Sequence, residues 1–218
     1  MDYDFEKQFD YENGYYLTAP VERFSKFATH MDLYRRISHL PGEVVECGVF
    51  KGASFSRLVK FRALFENPKS RRIIGFDTFG KFPDAEFEAD VEVRQRFVSE
   101  AGDLSISIED MRNCLDKVGL NTNIDLIAGD LRETLPAFLE ENPALRISLL
   151  HIDVDLYEPT KACLENLFDH VVRGGIVILD DYGAFPGANK AIEEFLEKTK
   201  IIVEKLPYSN AISYLVKP

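Results

Sequence analysis

The feature that most constrains the fold is a regular alternation of short apolar runs with helix-like segments, which extends from Glu43 to about Lys200. The apolar runs are, in chain order, EVVECGV, RRIIGFD, NIDLIAGD, RISLLHIDVD and GGIVILDDY. Between them lie segments such as ASFSRLVKFRALFE and EPTKACLENLFDHVV, whose apolar residues recur at helical spacing. Strands that alternate with helices predict βα units, and hence a parallel sheet with helices on both faces.

Both ends of the chain depart from this alternation. Near the N-terminus, residues 1–18 show no clear period, and the segment after Pro20 predicts one helix that ends before Pro41. At the C-terminus, KIIVEKLPYS and AISYLVKP are predicted as two strands, and strands linked so closely pair antiparallel. We therefore predict an α/β fold with a mostly parallel seven-stranded sheet, helices on both faces and a C-terminal antiparallel hairpin.

Composition limits the location and the partners of the chain. Its 218 residues suit one α/β domain (residues 41–218) preceded by an N-terminal segment (residues 1–40) that acts as a lid or an oligomer contact. No stretch approaches the roughly 20 apolar residues of a membrane helix, and the acidic, aromatic start is not typical of a targeting peptide. The net charge of -11 disfavours a nucleic-acid partner. We therefore expect a cytoplasmic protein that binds neither membranes nor nucleic acids.

The first apolar run ends in a motif that can bind a ligand. The motif is ECGVFKGAS, in which Glu46 is followed by Gly48, Val49, Gly52 and Ser54. Glycine lets the backbone turn sharply and approach a ligand, and the helix that follows offers unpaired N–H groups. Since the spacing is not G-x-G-x-x-G, a dinucleotide pyrophosphate is disfavoured here. Glu46 can reach an ammonium or ribose group; the alternative is an ordinary βα turn with a solvated glutamate.

Acids also end the second and third apolar runs. Asp77 can accept both hydroxyls of a ribose, as acids do at this place in nucleotide-binding α/β folds, or it can act as a helix cap or loop acid. Asp130, which follows Gly129, can meet an adenine amino group or can cap the helix that begins at Leu131. Ligands of doubly wound sheets bind at the carboxyl ends of the strands, so these residues belong to one predicted site.

The most informative pattern is the group of acids that ends the fourth and fifth runs. The fourth run ends in HIDVD, residues 151–155, and the fifth ends in LDDY, residues 179–182. Clustered carboxylates repel one another, and a bound cation removes that repulsion. Because all-oxygen ligation suits Mg²⁺, Mn²⁺ or Ca²⁺ better than zinc, three or four of these acids predict such a site. The alternative is that the acids cap helices or pair with Lys161, Arg173 or Lys190, and His151 is predicted as a hydrogen-bonded core residue.

A long stretch from Thr78 to Ser105 has no regular period and disperses phenylalanines among acids. Long irregular segments in compact domains are typically functional loops. We predict that this stretch and residues 1–20 form a lid over the acceptor, the molecule on which the site acts. For residues 84–95 the alternative is a disordered surface loop.

Four segments carry a resemblance to a known family. They are VVECGVFKGAS, GFDTF, LHIDVDLYEPT and GGIVILDDYGAFPGANKAIEEF. Together they resemble the macrocin O-methyltransferase (TylF) family of class I S-adenosylmethionine enzymes, which methylate sugar hydroxyls in natural products and glycans. The resemblance implies a Rossmann-like class I methyltransferase fold, S-adenosylmethionine and Mg²⁺ (or Mn²⁺ or Ca²⁺) as cofactors, and a possible homodimer.

The resemblance also implies a role for each matching residue. The methionine part of the cofactor would lie along Glu46, Gly48, Val49, Gly52 and Ser54, its ribose at Asp77 with Thr78 and Phe79, and its adenine at Gly129, Asp130 and Leu131. The metal would be held by Asp153, Asp180 and Asp181, with Asp153 also beside the cofactor. In catechol-type relatives a lysine three residues after the first metal aspartate is the base, but Leu156 stands there in this chain. The base would then be Asp153, with Asp155 as the alternative.

These residues predict a specific reaction. A divalent cation lowers the pKa of a sugar hydroxyl, and a carboxylate at hydrogen-bond range removes its proton. We predict an O-methyltransferase of natural product biosynthesis that acts on a sugar or a glycosylated metabolite. One alternative is a metal-dependent methyltransferase of catechols or phenols, which Leu156 disfavours. Another is a cofactor-binding module without catalysis, which the complete set of acids disfavours.

Overall fold

The structure is a computed structural model that describes residues 3–218. Met1 and Asp2, with which the predicted segment 1–40 begins, lie outside the described residues. The strands are β1 (Glu43–Cys47), β2 (Ile73–Asp77), β3 (Ile124–Ala128), β4 (Ile147–Ile152), β5 (Val171–Leu179) and β6 (Ser213–Val216). The α-helices are α1 (Gln8–Thr18), α2 (Val21–Ile37), α3 (Ala53–Phe65), α4 (Asp90–Ala101), α5 (Ile108–Lys117), α6 (Leu131–Glu141), α7 (Tyr157–Leu167) and α8 (Pro186–Thr199). Short 3-10 helices, Phe5–Lys7 and Phe168–His170, precede α1 and follow α7.

The strands form one sheet in the order β3-β2-β1-β4-β5-β6. Strands β1 to β5 are parallel, and β6 is antiparallel to β5. One core cluster packs α2, α3 and α5 on one face of the sheet, and a second packs α6, α7 and α8 on the other. The doubly wound α/β prediction is therefore confirmed. The strand order reverses between β1 and β4, and this switch point places a crevice at the carboxyl ends of the strands.

The predicted strand count of seven is wrong, because the described residues form six strands in this sheet. The first strand of the predicted hairpin is reduced to a single antiparallel bridge between Glu204 and Tyr214. Pro207 has no N–H to donate to a ladder, and Lys200 adopts a positive φ of 58°. Residues 200–209 therefore contact the edge strand β6 at this one bridge and do not form a further strand.

Other boundaries also differ from the sequence-based prediction. Helix α1 lies in residues 1–18, which show no period, and α4 lies in the stretch 78–105, which was expected to be irregular. The helix-like segment EPTKACLENLFDHVV extends to Val172, but α7 ends at Leu167 and β5 begins at Val171. Within the described residues, no helix combines the length and the apolar character needed to cross a membrane.

A buried acid attaches α4 to the rest of the domain. Asp90, which is fully buried, accepts hydrogen bonds from the backbone N–H of Tyr157 at 3.0 Å and of Gly187 at 2.7 Å. These N–H groups belong to the first turns of α7 and α8, whose donors have no partner within their own helices. A side chain at position 187 would overlap Asp90, since a Cβ there would lie 1.9 Å from its Oδ2. The segment between β2 and α5 is thus fixed against the ends of β4 and β5.

Candidate active site

A cavity of about 590 Å³ opens at the carboxyl ends of the strands. This volume lies within the range of small-molecule sites. The predicted residues on its wall are Gly48, Val49, Ser54, Asp77, Thr78, Gly129, Asp130, Leu131, Asp153 and Asp155. Within residues 3–218, the predicted residues away from the wall are Glu46, Gly52, Phe79, Asp180 and Asp181. Most of the predicted site therefore lies around one cavity.

The turn after β1 needs its glycines chiefly for contacts within the protein. Gly48 has a φ of 93°, and a Cβ there would lie 1.7 Å from the carbonyl oxygen of Asp153. Gly52 has a φ of 82°, and a Cβ there would lie 2.7 Å from the sulfur of Met111. The close approach at Gly48 brings the end of β4 against this turn. Helix α3 then begins at Ala53, with Ser54 on the cavity wall.

Glu46 and His151 form a buried pair between β1 and β4. They lie side by side in the parallel register, and Glu46 Oε1 is 2.8 Å from His151 Nδ1. Burial opposes protonation of His151, but hydrogen bonds with Asp180 and Glu46 raise its pKa to about 10. Glu46 Oε2 is buried and has no hydrogen-bond partner among the described residues. His151 is therefore a hydrogen-bonded core residue, as predicted.

The acids at the ends of β2 and β3 are held by hydrogen bonds with nearby backbone. Asp77 accepts from the N–H of Phe50 at 2.9 Å and of Phe79 at 2.8 Å. Asp130 is the N-cap of α6, where it accepts from the N–H of Arg132 at 2.8 Å. The side-chain hydrogen bond from Arg132 lowers the pKa of Asp130. Both acids are thus fixed by local hydrogen bonds and line the cavity.

Three acids at the ends of β4 and β5 form a compact group. Asp153, Asp155 and Asp181 each place a carboxylate oxygen within 4.8 Å of the others. Asp181 Oδ2 also accepts from the N–H groups of Val154 and Asp155, at 3.1 Å and 2.8 Å. Burial and the neighbouring carboxylates raise the pKa of Asp153 to about 6, that of Asp155 to about 8 and that of Asp181 well above its usual range. The charged amine of Lys26 contacts this group at Asp153, at 3.6 Å, and leaves three carboxylates beside a single positive charge.

Asp180 contacts the charged Lys26 and the neutral His30 of α2. Lys26 Nζ lies 2.5 Å from Asp180 Oδ2 and 3.6 Å from Asp153 Oδ2. His30 Nε2 lies 3.6 Å from Asp180 Oδ1. Burial would raise the pKa of Asp180, but the charge of Lys26 and the hydrogen bond with His151 hold it well below its usual range. The third acid that places an oxygen within 4.8 Å of those of Asp153 and Asp181 is thus Asp155 and not Asp180.

Lys26 and His30 were missed by the sequence analysis. They lie four residues apart on α2, on the face that also carries Leu33 and Ile37 into the core. Polar residues on such an apolar face are the signal that could have found them. Burial lowers the pKa of His30 to about 4. Burial would also lower the pKa of Lys26, but Asp153 and Asp180 hold it above its ordinary value, so this amine stays charged.

Comparison with solved structures defines the class of protein. The structure of CalS11, a calicheamicin methyltransferase, has a TM-score of 0.79 and 29% identity, and covers 99% of this chain and 86% of that chain. An apo structure of CalS11, described as a TDP-rhamnose 3'-O-methyltransferase, has a TM-score of 0.69 and 30% identity, and covers 99% of this chain and 87% of that chain. NovP, an O-methyltransferase, has a TM-score of 0.76 at 24% identity over 88% of this chain and 79% of that chain. The fold is the predicted Rossmann-like class I methyltransferase fold.

Comparison of sequences then defines the family. The sequence model of the macrocin O-methyltransferase (TylF) family matches residues 20–207. An 8-demethyl-8-(2,3-dimethoxy-alpha-L-rhamnosyl)-tetracenomycin-C 4'-O-methyltransferase of Streptomyces olivaceus is 32% identical over 160 residues, which are 72% of this chain and 58% of that protein. The chain spans about three fifths of the length of the curated relatives it matches. This chain belongs to the macrocin O-methyltransferase (TylF) family.

Proposed function

We propose that this protein transfers a methyl group from S-adenosylmethionine to a hydroxyl of a sugar or glycosylated small molecule, with the help of a divalent cation. The observation that carries the proposal is the group formed by Asp153, Asp155 and Asp181 beside the cavity. Family membership supports the reaction class, and the names of the similar proteins support a sugar-bearing acceptor.

The acid group suits a hard divalent cation. Its ligand atoms would be carboxylate oxygens, which favour Mg²⁺, Mn²⁺ or Ca²⁺ over softer metals. Asp153 and Asp181 are the two residues on which the sequence pattern and the contact geometry agree, and Asp155 lies with them. Asp180 would join the predicted set only by leaving Lys26. The raised pKa values of the group support this assignment, because a cation relieves the repulsion that contributes to them.

The rest of the cavity suits the cofactor. Ser54 and the start of α3 would face its methionine part, and Asp77 would hold its ribose, since a carboxylate with two backbone donors retains free lone pairs. Asp130 and Leu131 would border the adenine. The unpaired Oε2 of Glu46 is an acceptor that an ammonium group would satisfy.

When bound, S-adenosylmethionine would supply an electrophilic methyl group, and the divalent cation would lower the pKa of the acceptor hydroxyl. Asp153 would take the proton of that hydroxyl, because its side chain is 23% exposed and lies on the cavity wall. Asp155 is the alternative base, although it is only 7% exposed. Lys26 stays charged and therefore contributes a cation rather than a base. The buried, apolar Leu156 occupies the position of the catalytic lysine of catechol-type relatives.

We also propose that the N-terminal segment, residues 1–40, acts as a lid over the acceptor. Helix α2 supports this role, since Arg23 and Lys26 lie on the cavity wall. Tyr15 and Tyr16 of α1 pack against Phe24, with ring centroids 5.2 and 5.6 Å away. This contact holds the otherwise exposed α1 against α2.

The proposal is tested by calorimetry and a methyl-transfer assay. S-adenosylhomocysteine should bind, and transfer to sugar acceptors, followed by mass spectrometry, should stop with EDTA and resume when Mg²⁺ is restored. Absence of S-adenosylhomocysteine binding, with or without Mg²⁺, would overturn the methyltransferase assignment. Full transfer in EDTA would remove the cation from the proposal while leaving the reaction class intact.

A further inference from the structure

Two arginines on the cavity wall have no side-chain partner among residues 3–218. The basic residues of the wall are Arg23, Lys26, Lys51, Arg57 and Arg132. Lys26 pairs with Asp180, Lys51 donates to the carbonyl of Leu104, and Arg132 pairs with Asp130. Arg23 and Arg57 make no such bond within the described chain, although the protein carries a net charge of -11. We call these two residues the arginine pair.

The arginine pair lies on two helices that run side by side. Phe27 of α2 packs against Phe61 of α3 with ring centroids 5.6 Å apart, and Tyr34 packs against Phe65 at 6.3 Å. Tyr34 also contacts Phe61, at 5.8 Å, so the two helices pack against each other, and the first two turns of each, which carry the arginine pair, line the same cavity. Each arginine stands four residues, about one helical turn, before its packed phenylalanine. The two guanidinium groups therefore flank the same part of the cavity.

That part of the cavity adjoins the acid group rather than the predicted adenosine end. Lys26, three residues after Arg23, contacts Asp180 and Asp153 at the ends of β4 and β5. Arg23 therefore lies about one helical turn, roughly 5 Å along α2, before the lysine that contacts these acids. Asp77 and Asp130 lie at the ends of β2 and β3, on the other side of β1. Arg57 follows Ser54 by about one helical turn, so a group bound by both arginines would lie between the methionine part of the cofactor and the acid group, where the acceptor must approach the methyl donor.

We propose that the arginine pair binds a phosphate group carried at the anomeric carbon of the acceptor sugar. Arginine forms paired, charge-assisted hydrogen bonds with phosphate, and two unpaired guanidinium groups suit a phosphate or a diphosphate. A hexose ring is about as long as the helical turn that separates Arg23 from Lys26. A sugar with its hydroxyl at Asp153 would therefore present its anomeric substituent to the pair.

This inference rests on the proposed function and specifies its substrate class. The acceptor is an activated sugar, such as a nucleoside diphosphate sugar, which is methylated before it is transferred. A glycosyl transfer, in which the phosphate group leaves, must then consume the methylated product. A neutral glycoside would lack the group that the arginine pair recognises.

The test measures binding to the protein in the presence of S-adenosylhomocysteine and Mg²⁺. Thymidine diphosphate and glucose 1-phosphate are titrated separately into the wild type, Arg23→Gln, Arg57→Gln and the control Arg173→Gln, whose exposed side chain lies outside the cavity. We expect thymidine diphosphate to bind the wild type and the control, and each cavity variant to bind it about tenfold more weakly or worse. The response to glucose 1-phosphate distinguishes a sugar phosphate from a nucleotide as the ligand.

A second measurement separates this inference from the proposed function. Affinity for S-adenosylhomocysteine should be unchanged in both cavity variants, and their KM for a thymidine diphosphate hexose should rise more than their kcat falls. Equal binding of both phosphates to wild type and variants, or no binding to the wild type, overturns the inference. A loss of S-adenosylhomocysteine affinity would assign the arginines to the carboxylate of the cofactor instead. Methylation of a neutral glycoside without binding of either phosphate would refute the inference and leave the proposed function standing.

Discussion

The carboxyl ends of the strands form two halves, one at β2 and β3 and one at β4 and β5, and the two halves hold their acids in different ways. At the ends of β2 and β3, each acid has a donor two residues away, since Asp77 accepts from Phe79 and Asp130 from Arg132, and Asp77 also accepts from Phe50, 27 positions away. At the ends of β4 and β5, the partners are far apart in the chain. Asp181 accepts from residues 26 and 27 positions away, and Asp180 pairs with a lysine 154 positions away.

This difference separates two kinds of binding surface. Asp77 and Asp130 accept backbone N–H bonds and lie outside the close group of three acids, so their remaining lone pairs can accept hydroxyl or amino groups. Asp181 also accepts two backbone N–H bonds, but it shares its space with Asp153 and Asp155. The buried group at the ends of β4 and β5 is unstable as a set of anions, and it needs a cation to become fully ionised. The first half is therefore suited to a neutral polar ligand and the second to a metal.

The largest effect is expected from Asp153→Asn, which acts on the metal half alone. We expect turnover to fall by about a thousandfold, because cation binding and proton removal are both impaired. Affinity for S-adenosylhomocysteine should stay within about twofold of wild type, and the exposed Asp116→Asn is the matched control. Turnover close to that of the wild type would remove Asp153 from the mechanism.

Asp77→Asn should weaken binding at the other half, where the cofactor is proposed to lie, and leave the metal half unchanged. An amide can replace only part of the acceptor capacity of the carboxylate, so we expect S-adenosylhomocysteine to bind about ten- to a hundredfold more weakly. The affinity for Mg²⁺ should not change. Calorimetry measures both, with Asp125→Asn as a control, because that acid pairs with Arg72 outside the cavity. A parallel loss of metal affinity would mean that the two halves are coupled.

The pH dependence of stability should expose the charge imbalance of the metal half. Asp153 and Asp155, with pKa values of about 6 and about 8 in the folded protein, titrate near 4 when unfolded. The folded state then binds more protons between these values, so its stability falls as pH rises through that window. Melting temperatures in EDTA should therefore decline from about pH 5 to about pH 8, and Mg²⁺ should raise them most at the upper end. Asp155→Asn should make this decline in melting temperature smaller. An equal rise in melting temperature with Mg²⁺ at about pH 5 and at about pH 8 would contradict this account.

The smallest effect is expected from Lys26→Met, which removes the cation shared by Asp180 and Asp153. The site becomes more negative, so we expect Mg²⁺ to bind a few-fold more tightly while the metal-free protein loses stability. Lys26→Arg keeps the charge and serves as the control. Weaker Mg²⁺ binding in Lys26→Met would show that the lysine positions a metal ligand rather than competing with the metal.

Much of the fold could be predicted because its signals are local. Apolar periodicity and turn residues specify each βα unit within about 30 residues, and the acids were placed correctly at the strand ends. The seventh strand could not be excluded from periodicity alone, since the failure of residues 200–209 to pair depends on Pro207 and on the course of the chain. Helix α4 was missed because Asp90 stabilises it through contacts with α7 and α8.

The sequence by itself determined the order of strands and helices, and with it the edge of the sheet on which Asp77, Asp130, Asp153 and Asp181 meet. Short-range periodicity is sufficient for that result, because parallel strands must present their carboxyl ends together. Only the tertiary structure decided which acids share a cation site and which contact Lys26 and His30. Those choices depend on burial and on charges brought by α2, and neither is encoded near the acids in the chain.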